Sequence, residues 1–235
     1  METEQLLIKL IQVIKSAKEY KELPKEYQQQ LNNILNKDYL TNALKTKSQG
    51  TILYQMKITL KSIRPPIWRR VVVPSHITFH QLHKVIQAAM GWEDYHLYEF
   101  EIGNIIIDLP EDELFPSFRE KYDAKKTKIS QFFIEEGQKC TYTYDFGDYW
   151  QHTILLEKTE TSLTPLSHPT CLKGKRACPP EDIGGVYGYM QIVDMLNSTN
   201  VDEEIEHFFE WYGGEYDPEY FNIEEVNERL KSIRL

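Results

Sequence analysis

The sequence predicts an α+β fold: a mostly antiparallel or mixed sheet with one packed helix between strand pairs, C-terminal helices, and an N-terminal helical hairpin. Three observations carry that reading. Between residues 51 and 109, and again between 140 and 156, apolar side chains recur at every second position, the period of a half-buried strand. The stretch 79–90, between two such strand pairs, switches to helical spacing. Helical spacing returns before residue 49 and beyond 186, and no internal repeat is visible.

The elements follow in order. Leu6, Leu7, Leu10, Ile14 and Ala17 mark a first helix over 4–20, and Leu23-Pro24 breaks it, with Pro24 suited to the first turn of a second helix. Tyr27, Leu31, Ile34 and Leu35 line one side of that second helix, and KTKSQG (45–50) reads as a linker, so 1–49 is a helical hairpin extension of a domain spanning 51–235. Tyr54, Met56, Ile58 and Leu60 alternate with polar residues in the first strand; Arg64-Pro65-Pro66 turns the chain into a second, 67–73. Thr78 is an N-cap, Phe79, Leu82, Ile86 and Ala89 form a buried stripe, and Gly91 stops the helix. His96, Tyr98, Phe100 and Ile102 make a third strand and 105–109 a fourth, with Gly103-Asn104 between them. Residues 110–128 read as a charged loop. Cys140, Tyr142, Tyr144 and Phe146, then Trp150, His152, Ile154 and Leu156, form a hairpin around Phe146-Gly147-Asp148. A Pro-, Gly- and Cys-containing loop (168–185) leads to helices over 186–197, 202–212 and 223–233.

Composition narrows the function. The chain has 235 residues and a net charge of −9, unevenly spread: 14 basic and 9 acidic side chains in the first hundred, 13 and 27 in the remainder. Such an acidic second half repels phosphate, so nucleic acid is a disfavoured partner outside a local patch of Lys57, Lys61, Arg64, Arg69 and Arg70. No run is long and apolar enough for a membrane span, and the charged N-terminus reads as neither signal peptide nor anchor. Three cysteines are too few, and odd in number, for a secreted disulfide scaffold, which points to the cytoplasm.

Several residues are candidates for chemistry, each beside a plainer role. Asp145-Phe146-Gly147 matches the magnesium-binding triplet of kinases, but no nucleotide loop or catalytic loop accompanies it, so a hairpin turn explains it better. Asp148 and His152, four apart across a strand start, can share a face and orient a metal, a water or a cation; a hydrogen-bond network fixing the turn is the alternative. His83 lies beside the helix's apolar stripe and His96 near Trp92; if His83, His96 and His152 converge they make a metal or proton-transfer site. His168, Cys171 and Cys178 offer three soft ligands, one short of the usual structural zinc set. Gly184, Gly185 and Gly188 imitate a phosphate loop, yet they follow Glu181-Asp182 rather than a strand, and helix capping by Asp182 explains the segment better. Trp68 with Arg64, Arg69 and Arg70 can stack on a base and hold a carboxylate or phosphate, or the arginines can pair with the chain's own carboxylates.

Five ordered blocks carry a resemblance to a known family. They are YQMKITLK (54–61) with P-x-I-W-R-R (65–70); LHKVIQAAMGW (82–92) with His96; YTYDFGDYWQH (142–152); CLKGKRACPPEDIGGVYGY (171–189); and WYGGEYDPEYF (211–221) with VNERL (226–230). Together they resemble the plasmid pRiA4b ORF-3-like family, also described as insertion-element passenger TnpR-like proteins, over about 51–235. The resemblance implies a compact α+β domain, found also near mobile elements, and carries no established activity. The resolvase suggested by that second name is unsupported here: neither a serine nucleophile among arginines nor an Arg/His/Arg/Tyr set is present. Family members often have a cysteine where Ile183 stands, so a metal loop in relatives implies a lost ligand here.

The expected function is therefore a non-enzymatic binding or accessory domain, with a protein or small ligand as partner, no membrane, and no cofactor. Its candidate surface is Trp68, Arg69, His83, Trp92, His96, Asp145, Asp148, Trp150 and His152. Two rivals are a metal-assisted hydrolase using His/Asp ligands and a divalent ion, and DNA binding through the basic strands 57–70.

Overall fold

The computed structural model describes residues 11–35, 50–110, 119–198 and 203–235. The chain divides into two compact units, residues 1–51 with 163–165, and residues 52–162 with 166–235.

In the smaller unit, residues 11–16 are helical, followed by α1 (Lys18–Glu22) and α2 (Lys25–Ile34). The predicted single helix over 4–20 is thus interrupted at Ala17, which is extended (φ −60°, ψ 143°). Leu23 is extended too, as the residue before a proline should be, and α2 starts on Pro24, whose carbonyl accepts from Gln28 N at 3.0 Å. Residues 4–10 of the first predicted helix, and all but the last residue of the predicted linker 45–50, lie outside the described residues.

The larger unit is built on a sheet of eight strands among the described residues: β1 (Thr51–Leu60), β2 (Trp68–Pro74), β3 (Tyr98–Ile102), β4 (Ile105–Asp108), β5 (Glu120–Asp123), β6 (Lys139–Tyr144), β7 (Trp150–Ser162) and β8 (Thr170–Lys175). The order is β5-β4-β3-β6-β7-β1-β2-β8. β4 and β5 pair in parallel, whereas β1–β2, β2–β8, β3–β4, β3–β6 and β6–β7 are antiparallel, so the mixed α+β architecture is as the sequence predicts.

Strand alternation aims one set of side chains at the core. Tyr98 sits opposite Tyr144, Phe100 opposite Tyr142, Tyr142 opposite His152 and Tyr144 opposite Trp150, all buried. α3 (Phe79–Met90) crosses this face, buried through Phe79, Leu82, His83, Val85, Ile86, Ala89 and Met90. Its ends are as the sequence predicts: Thr78 and Gln81 form a reciprocal capping box, and Gly91 closes the helix in the left-handed region (φ 99°). Edge-on contact of Phe79 with Phe100, centroids 5.0 Å apart, fastens helix to sheet.

Two strands depart from the predicted loops. β5 (EKYD) shows no apolar alternation, because it is an outer strand with little to bury. β8 lies inside the stretch read as a Pro/Gly/Cys loop; its Gly174 faces Arg69, and a Cβ there would come within 2.4 Å of the Phe221 ring. That glycine marks a close approach rather than a turn. His96, predicted inside β3, precedes it. Helices α4 (Gly185–Asn197), α5 (Glu203–Tyr212) and α6 (Ile223–Leu230) close the unit. Asn222 caps α6 by accepting from Glu224 N at 2.9 Å, and Asn227 holds β8 through Cys171 N (2.7 Å) and O (3.0 Å). The N-cap of α4 is Gly184, with no side-chain cap, so Asp182 does not serve the capping role expected of it.

Candidate functional site

Beneath α3 runs a closed row of rings and imidazoles. His83 is fully buried, stacked on Tyr98 with centroids 3.7 Å apart. Its Nδ1 lies 2.7 Å from Tyr142 Oη and its Nε2 2.6 Å from Asp94 Oδ1. Gln87 Nε2 donates to the same phenol oxygen at 3.0 Å, so the phenol proton is directed to Nδ1 and Nε2–H donates to Asp94. Burial lowers the His83 pKa against the pull of Asp94, and keeps the ring neutral. Burial raises the Asp94 carboxyl, but its bonds from His83 and Lys84 outweigh that and hold it at about 2. His152, on the other side of Tyr142, is also fully buried; its Nδ1 meets Trp150 O at 3.1 Å, and burial drives its pKa down to about 3. Trp92 closes the row, with its ring against Tyr144 (5.0 Å) and His152 (5.4 Å) and its Nε1 donating to Pro179 O at 2.9 Å.

Of the three histidines expected to converge, the structure thus brings His83 and His152 to either side of Tyr142. His96 stands apart, edge-on to Tyr144 and facing Asp145 and Asp182. Asp148 and His152 do not share a face: Asp148 Oδ2 accepts from Gly184 N at 3.2 Å, while His152 points into the core. Asp145 fixes the hairpin turn, its Oδ1 accepting from Gly147 N at 2.8 Å and its carbonyl from Tyr149 N at 2.6 Å. Trp150 is fully buried.

Trp68 and Arg69 lie on opposite faces of β2. Arg69 is buried and spans three carbonyls, Ala89 (2.9 Å), Trp68 (3.0 Å) and Lys175 (3.1 Å), with the Phe221 ring 4.7 Å away. Trp68 lies under Lys57 and Arg70, and Arg70 grips Glu157 with two bonds of 2.5 and 2.8 Å. The basic strand pair is therefore already matched by a carboxylate. His168, Cys171 and Cys178 do not gather: among the described residues, the one triad of metal-ligating side chains is His96, Asp145 and Asp182.

Open space lies beside this core. A cleft of about 980 Å³ is bounded by the end of α3 with Trp92 and Tyr95, by 177–181, and by α5, α6 and the segment joining them. Its rim exposes aromatic faces: Tyr95 is 75% exposed, Trp211 56% and Tyr220 50%. Glu181, Glu215, Asp217 and Glu225 set four carboxylates into its lining against Arg69 and Arg229, and Arg229 Nε is held by Ala88 O at 2.9 Å. Of the residues predicted from sequence, Arg69, Trp92 and Cys178 line it. The missed signal is the aromatic density of WYGGEYDPEYF within the most acidic part of the chain.

Comparison with known proteins bears on the family and the fold. The sequence profile of the plasmid pRiA4b ORF-3-like protein family matches residues 52–225. "Uncharacterized protein y4hQ" of Sinorhizobium fredii (strain NBRC 101917 / NGR234) is 35% identical over 181 residues, covering 76% of this chain and 91% of its own. A solved structure, "Protein of Unknown Function MM3350" from Methanosarcina mazei Go1, superposes with a TM-score of 0.68 at 42% identity, covering 75% of this chain and 97% of its own. Among the described residues, no helix is long and apolar enough to cross a membrane.

Proposed function

The chain belongs to the plasmid pRiA4b ORF-3-like family, and on that premise we propose that it is a binding or accessory protein whose ligand seats in the aromatic cleft. One observation carries this: the cleft presents exposed ring faces and a surplus of carboxylates in the same lining. Rings attract cations through their faces, and carboxylates complete the match, so the ligand chemistry is a basic segment with arginine or lysine side chains. The imidazoles of His83 and His152 and the thiols of Cys140 and Cys178 support binding over turnover, because each is buried in the core or raised in pKa by burial. Residues 51–235 form the working domain in this reading, with 1–49 as an extension, and three free cysteines suit the cytoplasm.

The test is calorimetric titration with tetra-arginine and tetra-glutamate peptides. Tetra-arginine is expected to bind, and Trp211→Ala together with Glu215→Gln to weaken it about tenfold, the scale of one cation–π contact plus one charge. Equal binding of tetra-glutamate, or no binding of either, contradicts the reading.

A further inference from the structure

His96, Asp145 and Asp182 come from three separate segments, the lead into β3, the β6–β7 turn and the loop before α4. Their ligating atoms lie within 4.8 Å of one another. His96 Nε2 is 3.1 Å from Asp182 Oδ1 and 3.7 Å from Asp145 Oδ2, yet it hydrogen-bonds to neither. The atom is shielded from solvent, so it is a buried nitrogen without a hydrogen-bond partner, facing two carboxylate oxygens. A buried polar atom left so needs an explanation. Both aspartates hold left-handed backbone conformations, φ 56° for Asp145 and 57° for Asp182.

We propose that His96, Asp145 and Asp182 bind one divalent transition-metal ion. Two donors bound at about 2.1 Å in a tetrahedral site stand about 3.4 Å apart, and the two His–Asp separations, 3.1 and 3.7 Å, bracket that value. One imidazole with two carboxylates is a borderline donor set that suits zinc or manganese above calcium or magnesium, which prefer oxygen alone. Asp145 keeps its Oδ1 on Gly147 N and has Oδ2 free for the ion, so the turn that shapes the hairpin also orients the ligand. With three protein ligands the ion retains open positions, reached from the side of Asp182, whose side chain is 65% exposed. The ion pins the cleft wall, because Tyr95 and Glu181, both lining the cleft, are the chain neighbours of His96 and Asp182. This site stands independently of what the cleft binds.

The experiment is calorimetric titration of the chelator-treated full chain with zinc and with manganese, using magnesium as control. The wild type is expected to take up one zinc or manganese ion per chain and to gain about 5 °C in Tm at a hundredfold excess over Kd. His96→Asn and Asp182→Asn are each expected to lose at least tenfold in affinity; Asp182 is exposed, so its variant folds, and circular dichroism checks both. Trp211→Ala is expected to bind the ion like the wild type, which separates this site from the cleft's ligand. Absence of zinc and manganese binding in the wild type overturns the proposal. Binding retained unchanged in both ligand variants also overturns it, since the ion then sits elsewhere.

Discussion

A neutral histidine in a closed core has a pH cost, and His152 sets it. In the unfolded chain its imidazole protonates near pH 6.5, whereas burial lowers the folded value to about 3. Between those values the unfolded chain takes up a proton that the folded one refuses, so stability is full above about pH 6.5 and declines toward pH 3. The loss by pH 4.5 is on the order of 3 kcal/mol, and the depressed value of His83 acts in the same direction. Asp94 works in a lower window: its carboxyl, held at about 2, adds stability above its unfolded pKa that is lost as the pH falls toward 2. Urea midpoints measured from pH 7 to 4.5 are expected to fall in the wild type and to flatten in His152→Phe; equal slopes count against a neutral buried ring. At this scale the sequence was partly legible. It marked His83 and His152 as unusual, but burial and the Tyr142 phenol between them depend on strand register across β3, β6 and β7, which no single segment encodes. Asp182 reads like a helix cap until the fold sets it against His96.

Where the apolar period was strong, elements were readable: β1, β2, β6 and β7 follow alternation, and α3 carries both its capping box and its glycine stop. β5 and β8 were not, for opposite reasons. β5 is a charged outer strand with nothing to alternate, and β8 hides a single buried cysteine, Cys171, among exposed lysines and a glycine. Gly174 is what lets β8 lie under the C-terminal segment. Gly174→Ala drives a Cβ to 2.4 Å from the Phe221 ring and 2.9 Å from Arg69 Cδ, so the ring must leave the guanidinium. A loss of about 1–3 kcal/mol is expected in denaturant unfolding, the range for overpacking a tight contact. A change under 0.5 kcal/mol would mean that Phe221 moves freely.

The larger unit joins a buried aromatic core to an acidic aromatic cleft, and the charge asymmetry of the sequence matches the second feature without locating it. The predicted surface was drawn from the conspicuous histidines and tryptophans, most of which serve the core. The cleft instead is assembled from α5, α6 and the segment between them, where exposed rings and carboxylates sit close in sequence. The four tryptophans report on this division independently. Trp92 and Trp211 line the cleft, Trp150 is sealed in the core, and Trp68 lies on the opposite face of the sheet under Lys57 and Arg70. Titration of tetra-arginine followed by the indole N–H resonances therefore tests the central claim most directly. Saturable shifts at Trp211 and Trp92, with Trp68 unmoved, are the expected result; shifts confined to Trp68, or none at all, would contradict it.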